Sequence, residues 1–142
     1  MEHRYHTSIK VTHLDLFGHV NNAKYFELYE EARWELLKDK GYGIEIIQTS
    51  RKGPVILRAD IRFKREIKGN TAITILTRPV SYIGKIFTLD QEIVDDRKVS
   101  CSTATFVGGY FDMEQRKLIK PDSHWLTVFE GVEWHRRNPT TN

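Results

Sequence analysis

The feature that most constrains this chain is one broad helical stripe followed almost entirely by strand patterning. Between Asn21 or Asn22 and about Lys40, the residues Tyr25, Leu28, Tyr29, Ala32 and Leu36 recur at steps of three and four. Phe26, Trp34 and Leu37 widen that stripe. Asparagine is a preferred N-cap and Gly41 is a C-terminal stop, so the spacing predicts one long helix. So wide an apolar surface has to be wrapped, and the rest of the chain offers strands. Val55, Leu57, Ala59, Ile61 and Phe63 alternate with Arg58, Asp60, Arg62 and Lys64, which predicts a strand from about Pro54 to Arg65. Runs rich in β-branched residues follow at Thr71 to Tyr82, Lys85 to Val94 and Val99 to Phe111. Turns at Lys68-Gly69-Asn70, Ile83-Gly84 and Asp95-Asp96-Arg97 introduce them. Ahead of the helix, Ile9 and Val11 alternate with polar residues and predict a strand from Tyr5 to Leu16, in whose phase His13 and Asp15 continue the inward row. Two short helical pieces are expected, one at Ile44 to Gln48 and one capped near Asp122 that runs through His124, Trp125, Leu126 and Phe129. The expected architecture is α+β, with about five antiparallel strands and the long helix on one face. The other face or a sheet edge then needs cover, which a homodimer supplies.

The chain has 142 residues, enough for one domain over 1–142, with a polar, solvated tail from about Gly131 to Asn142 that carries His135, Arg136, Arg137 and Asn138. No apolar run approaches the roughly 18 to 20 residues of a membrane span, and the start lacks a signal's apolar segment, so a soluble cytoplasmic protein is expected. A formal charge of +3 is too small to mark a nucleic-acid binder and suits an anionic small ligand. The single cysteine, Cys101, sits in a strand-like run and reads as a buried structural thiol. His3 and His6 read as surface residues of a mobile terminus. The phosphate loop, the G-x-S-x-G elbow, H-E-x-x-H and paired C-x-x-C are all missing from the sequence, which counts against P-loop, serine-hydrolase and zinc readings.

What remains is His13-Leu14-Asp15-Leu16-Phe17-Gly18-His19-Val20-Asn21-Asn22, which packs a strand end, a turn and a helix start into ten residues. The first amides of a helix are unpaired and partially positive, and such donors can hold a carbonyl oxygen as it becomes an oxyanion. A nearby carboxylate can activate water or attack directly. The same residues also admit a purely structural reading, with Asp15 forming the turn and Asn21 and Asn22 capping the helix.

The run HLDLFGHVNNAKYFELYEEARWELL, His13 to Leu37, resembles the signature of hotdog-fold thioesterases of the 4-hydroxybenzoyl-CoA thioesterase family, and especially the FadM-type long-chain acyl-CoA branch. A weaker likeness covers about Ser8 to Asp112, including Arg62-Phe63-Lys64-Arg65 and Ile83-Gly84-Lys85. The resemblance implies a hotdog fold and hydrolysis of a fatty or aromatic acyl-CoA to the free acid and coenzyme A. Asp15 would be the base or nucleophile and the Asn22 amide the oxyanion donor. Substrate-binding roles would fall to His19, Asn21, Tyr25, Gly84 and Lys85, with Lys85 near the coenzyme A phosphates. It also implies an active site formed between subunits, in a homodimer or homotetramer. Rival expectations are a hotdog hydratase or dehydratase, and a non-catalytic binding module for acyl-CoA or acyl-carrier protein. The acidic carrier would meet Arg62, Lys64, Arg65 and Lys68, which read first as a solvated strand end. The Leu16-Phe17-Gly18 segment lacks the N-P pair typical of the hydratases.

Overall fold

A computed structural model describes residues 1–137. Strand β1 (His3–Ser8) is followed by a 3-10 turn at Val11–His13, then helix α1 (Asn22–Asp39) and helix α2 (Ile44–Ser50). Strands β2 (Lys52–Phe63), β3 (Ala72–Ile83), β4 (Ile86–Asp95) and β5 (Ser100–Asp112) form the body of the sheet. β6 (Lys117–Ile119), α3 (Ser123–Leu126), a second 3-10 turn (Thr127–Phe129) and β7 (Trp134–His135) complete the order. The sheet runs β1-β3-β4-β5-β2 with antiparallel neighbours, and β6 adds to the end of β5.

Helix α1 forms where the spacing predicts. Asn21 caps it by accepting the Ala23 amide at 2.9 Å, and Gly41, at φ +78°, follows its end. Its buried residues are Tyr25, Leu28, Tyr29, Ala32, Leu36 and Leu37. The N-terminal half packs on Ile73, Ile75, Ile93 and Phe106, and the C-terminal half on Phe87, Leu89, Trp125 and Phe129. Each fully buried leucine contributes roughly 1.5–3 kcal/mol, so the stripe fixes which face of the helix meets the sheet. The opposite sheet face is polar, with Arg62 beside Asp60, Arg78 beside Glu92 and Thr105 donating to Asp90.

Three expectations are corrected. The first strand starts and ends earlier than predicted, because β1 pairs with β3 only as far as Ser8 opposite Ala72. With no further partner backbone the chain turns at Lys10, whose amide donates to His13 Nδ1 at 2.9 Å. Val11 is 79% exposed, and His13 and Asp15 do not continue a strand row. The segment from Gly131 is not a frayed tail as far as it is described. β7 pairs in parallel with β3, Gly84 donates its amide to His135 O at 2.7 Å, and Trp134 Nε1 donates to Gly84 O at 2.9 Å. Asn138 and the residues after it lie outside the described residues. The terminus bearing His3 and His6 is an ordered strand. His3 Nε2 lies 2.7 Å from Asp39 Oδ2, and His6 Nδ1 lies 2.9 Å from Thr74 Oγ1.

Candidate active site

The segment ahead of α1 closes into a tight turn. Asp15 N donates to His19 O at 2.9 Å and Gly18 N to Asp15 O at 3.2 Å, with Leu14 and Val20 bridged at its base. Gly18 adopts φ +80°, a conformation in which a side chain is strained. The turn is braced further, both within its own segment and against the body of the protein. Val20 N donates to Ile67 O at 2.9 Å, and Asn21 N donates to His13 O at 2.9 Å. His19 is bridged to Lys68.

Within this turn the two carboxylate oxygens of Asp15 differ. Oδ1 accepts the Phe17 amide at 2.8 Å, and Oδ2 lies 3.5 Å from His19 Nδ1. At 3.5 Å the latter contact is longer than an ordinary hydrogen bond. The Asp15 side chain is 22% exposed and His19 33%, so both are reachable from solvent. The His19 ring stacks on Phe17, with centroids 5.8 Å apart and planes 12° from parallel.

At the start of α1, Ala23 donates to the Asn21 side chain and Lys24 to Asn21 O. Among the described residues the Asn22 amide has no hydrogen-bond partner, so one helix-terminal donor stays free beside the turn. The Asn21 side chain is engaged in capping. Tyr25, one turn on, is buried with its ring edge-on to Phe63 at 4.9 Å, and desolvation raises its phenol pKa to about 12. Arg62, Lys64, Arg65 and Lys68 are exposed around the same end of the sheet. Cys101 is buried, and burial pushes its thiol up.

Asp15, His19, Asn21, Asn22 and Tyr25 are thus brought together at the end of the sheet where β3 begins. Gly84 and Lys85 are not. They sit at the far end of β3, whose 12 residues span roughly 35–40 Å. Phe17 belongs to the site as well, although no motif marks it. A large apolar residue in a turn between an aspartate and a glycine is the available signal, since Leu16 and Phe17 are both exposed at its tip.

A family model described as the thioesterase-like superfamily matches residues 9–129. The long-chain acyl-CoA thioesterase FadM of Escherichia coli (strain K12) is 32% identical over 118 residues, which cover 80% of this chain and 87% of that protein. A crystal structure of a putative oleoyl thioesterase from Lactobacillus plantarum superposes with a TM-score of 0.88 at 16% identity. The match covers all of this chain, which spans 55% of that one's length. A 1,4-dihydroxy-2-naphthoyl-CoA thioesterase from Synechocystis superposes with a TM-score of 0.83 at 15% identity, covering 91% of this chain and 96% of that one. The architecture is therefore the hotdog fold. The chain belongs to the thioesterase-like superfamily and is an enzyme of the thioester hydrolase class.

Proposed function

We propose that this protein hydrolyses the thioester of a fatty or aromatic acyl-CoA, with Asp15 and the Asn22 amide acting on the same carbonyl. The observation that carries the reading is a solvent-reachable carboxylate held by its own turn directly before a helix start whose Asn22 amide is unpaired. The free Asn22 N–H donates a hydrogen bond to the carbonyl oxygen as negative charge develops on it. Asp15 either withdraws a proton from the attacking water, or attacks the carbonyl itself to form an acyl anhydride that water then hydrolyses to the free acid; on either route the thiolate of coenzyme A leaves and takes up a proton. His19 keeps Oδ2 turned toward the turn, and Asn21 fixes the start of the helix. No cofactor takes part in this scheme.

Gly84 and Lys85 join this site only through a second copy of the chain, because one chain holds them at the opposite end of β3. A homodimer is the smallest assembly that does so, and a homotetramer doubles it. β2 is an edge of the sheet with exposed Ile56, Leu57 and Phe63, which suits such an interface. Among the described residues no helix is long and apolar enough to cross a membrane.

The test is thiol release from short, long and aryl acyl-CoAs, with acyl-carrier-protein thioesters in parallel, for the wild type and Asp15→Asn. The variant is expected to lose about a hundredfold to ten-thousandfold in turnover, the usual contribution of a positioned base. Wild-type turnover in Asp15→Asn refutes the assignment. Hydroxyacyl-CoA formation from an enoyl-CoA without thiol release identifies a hydratase instead.

A further inference from the structure

A cavity of about 240 Å³ lies between the second half of α1 and strands β2 and β4, closed by α3. Its wall is apolar, built from residues such as Leu37, Ile56, Phe87, Leu89 and Trp125, apart from Arg33 and Glu30. Arg33 is half-buried. Its guanidinium carbon lies 4.2 Å from the centre of the Phe106 ring, and Nη1 donates to Gln91 Oε1 at 3.0 Å. Gln91 is committed elsewhere as well, donating Nε2 to Thr77 Oγ1 at 2.9 Å and to Tyr29 O at 3.2 Å.

Among the described residues no carboxylate lies within ion-pair distance of Arg33. Glu30, one turn back on α1, is exposed and acts on it only from a distance. Desolvation lowers the Arg33 pKa to about 10, so the group is still a cation at neutral pH. A guanidinium carries five donors, and the structure shows one of them used. The guanidinium is only partly withdrawn from water and its unbonded nitrogens keep solvent contact, so they stay available to an anion that brings its own apolar body and supplies the missing counter-ion.

We propose that this cavity binds a medium-chain fatty carboxylate, with the carboxylate on Arg33 and the alkyl chain against Leu37, Leu89 and Trp125. At about 30 Å³ for each water-sized group, the volume holds about eight methylene-sized units, which makes octanoate the natural probe. The site is separate from the hydrolytic turn, because Arg33 lies about 16 Å along α1 from Asn22 at 1.5 Å per residue. A fatty acid released by the enzyme would then occupy it as product. That last link rests on the proposed thioesterase activity, whereas the binding itself does not.

Trp34 and Trp125 line the cavity, so tryptophan emission reports its occupancy. The full chain is titrated with sodium octanoate and with 1-octanol, for the wild type, Arg33→Met, Arg33→Lys and Ile56→Phe, with thermal melts of each. Octanoate is expected to bind saturably and about tenfold or more tighter than octanol, from a charge-assisted hydrogen bond. Arg33→Met should erase that preference and leave octanol unchanged, and Arg33→Lys should keep part of it. Ile56→Phe, which narrows the cavity from a partly exposed position, should weaken both ligands. Equal affinities in the wild type, no saturable change, or an undiminished preference in Arg33→Met overturns the proposal. Should Arg33→Met fail to fold, unaltered octanoate binding in Ile56→Phe overturns it. Octanoate binding without any acyl-CoA turnover refutes the proposed acyl-CoA substrate and leaves this site standing.

Discussion

The oxyanion role of Asn22 is carried by a backbone amide, which side-chain substitution does not normally reach. Proline reaches it. The first position of a helix tolerates proline because its N–H has no intrahelical acceptor, and the ring presets a helical φ. The residue before a proline must be extended, and Asn21 already has φ −64° and ψ 141°. The Asn22 amide has no hydrogen-bond partner among the described residues, so Asn22→Pro removes no bond that holds the fold. The cap from the Asn21 side chain to the Ala23 amide survives it. Lower chain entropy in the unfolded state is worth about 0.4–1 kcal/mol in favour of the variant, a rise of only a few degrees in Tm.

Activity should behave oppositely. Loss of one oxyanion donor costs about a hundredfold to a thousandfold in kcat, or roughly 2.7–4 kcal/mol. KM should be nearly unchanged, because the lost interaction strengthens only as charge develops on the oxygen. Asn22→Ala keeps the N–H and serves as the control, with kcat near that of the wild type. The assay is steady-state thiol release beside a calorimetric melt. A folded Asn22→Pro enzyme with wild-type kcat refutes the reasoning, because the amide would then have no part in the transition state.

Gly108 admits no side chain, because a Cβ there would lie 2.5 Å from Val55 O and 2.5 Å from Phe87 Cζ. Gly108→Ala should therefore lower stability by about 3 kcal/mol, measured by urea unfolding. Asp95 accepts the Arg97 and Val99 amides, and Asp112 accepts the Glu114 and Gln115 amides, which holds both carboxyls below their ordinary value of 3.8. Their contribution is complete above the unfolded value and is lost as pH falls through the lower native values. Asp95→Asn should accordingly flatten acid unfolding below about pH 4, followed by circular dichroism. If β2 joins two copies, Leu57→Lys at its exposed bulge should shift sedimentation toward the monomer.

How much of this was legible in the sequence depends on whether a feature is local. The stripe from Tyr25 to Leu37 and the Asn21 cap are local, and α1 forms within a residue of the expected bounds. The Asp15 to Gly18 turn is also local, since an aspartate followed three residues later by glycine favours that geometry. The end of β1 is not local, because it depends on where β3 begins, more than sixty residues later. β7 was hidden for the same reason. Nothing in the polar composition of the tail shows that Trp134 meets the Gly84 carbonyl. In the sequence Arg33 is one charged residue among Glu30, Glu31 and Glu35. Its partner Gln91 is 58 positions away, and only the wrapped sheet brings the two together.

The unequal use of the Asp15 oxygens separates the chemistry of the site from its scaffold. Oδ1 anchors the Phe17 amide and so shapes the turn, whereas Oδ2 faces His19 and solvent. An asparagine can keep the first contact through its own side-chain oxygen while losing the negative charge. Asp15→Asn should therefore fold with an unchanged turn, and its lost turnover is assignable to charge. Asp15→Ala removes both contacts and frees the Phe17 amide, at a cost of about 1 kcal/mol in stability. If the carboxylate does the chemistry, the two variants are equally inactive but differ in melting temperature. If Asp15 only shapes the turn, Asp15→Asn stays active and Asp15→Ala does not, an outcome that sinks the proposed mechanism.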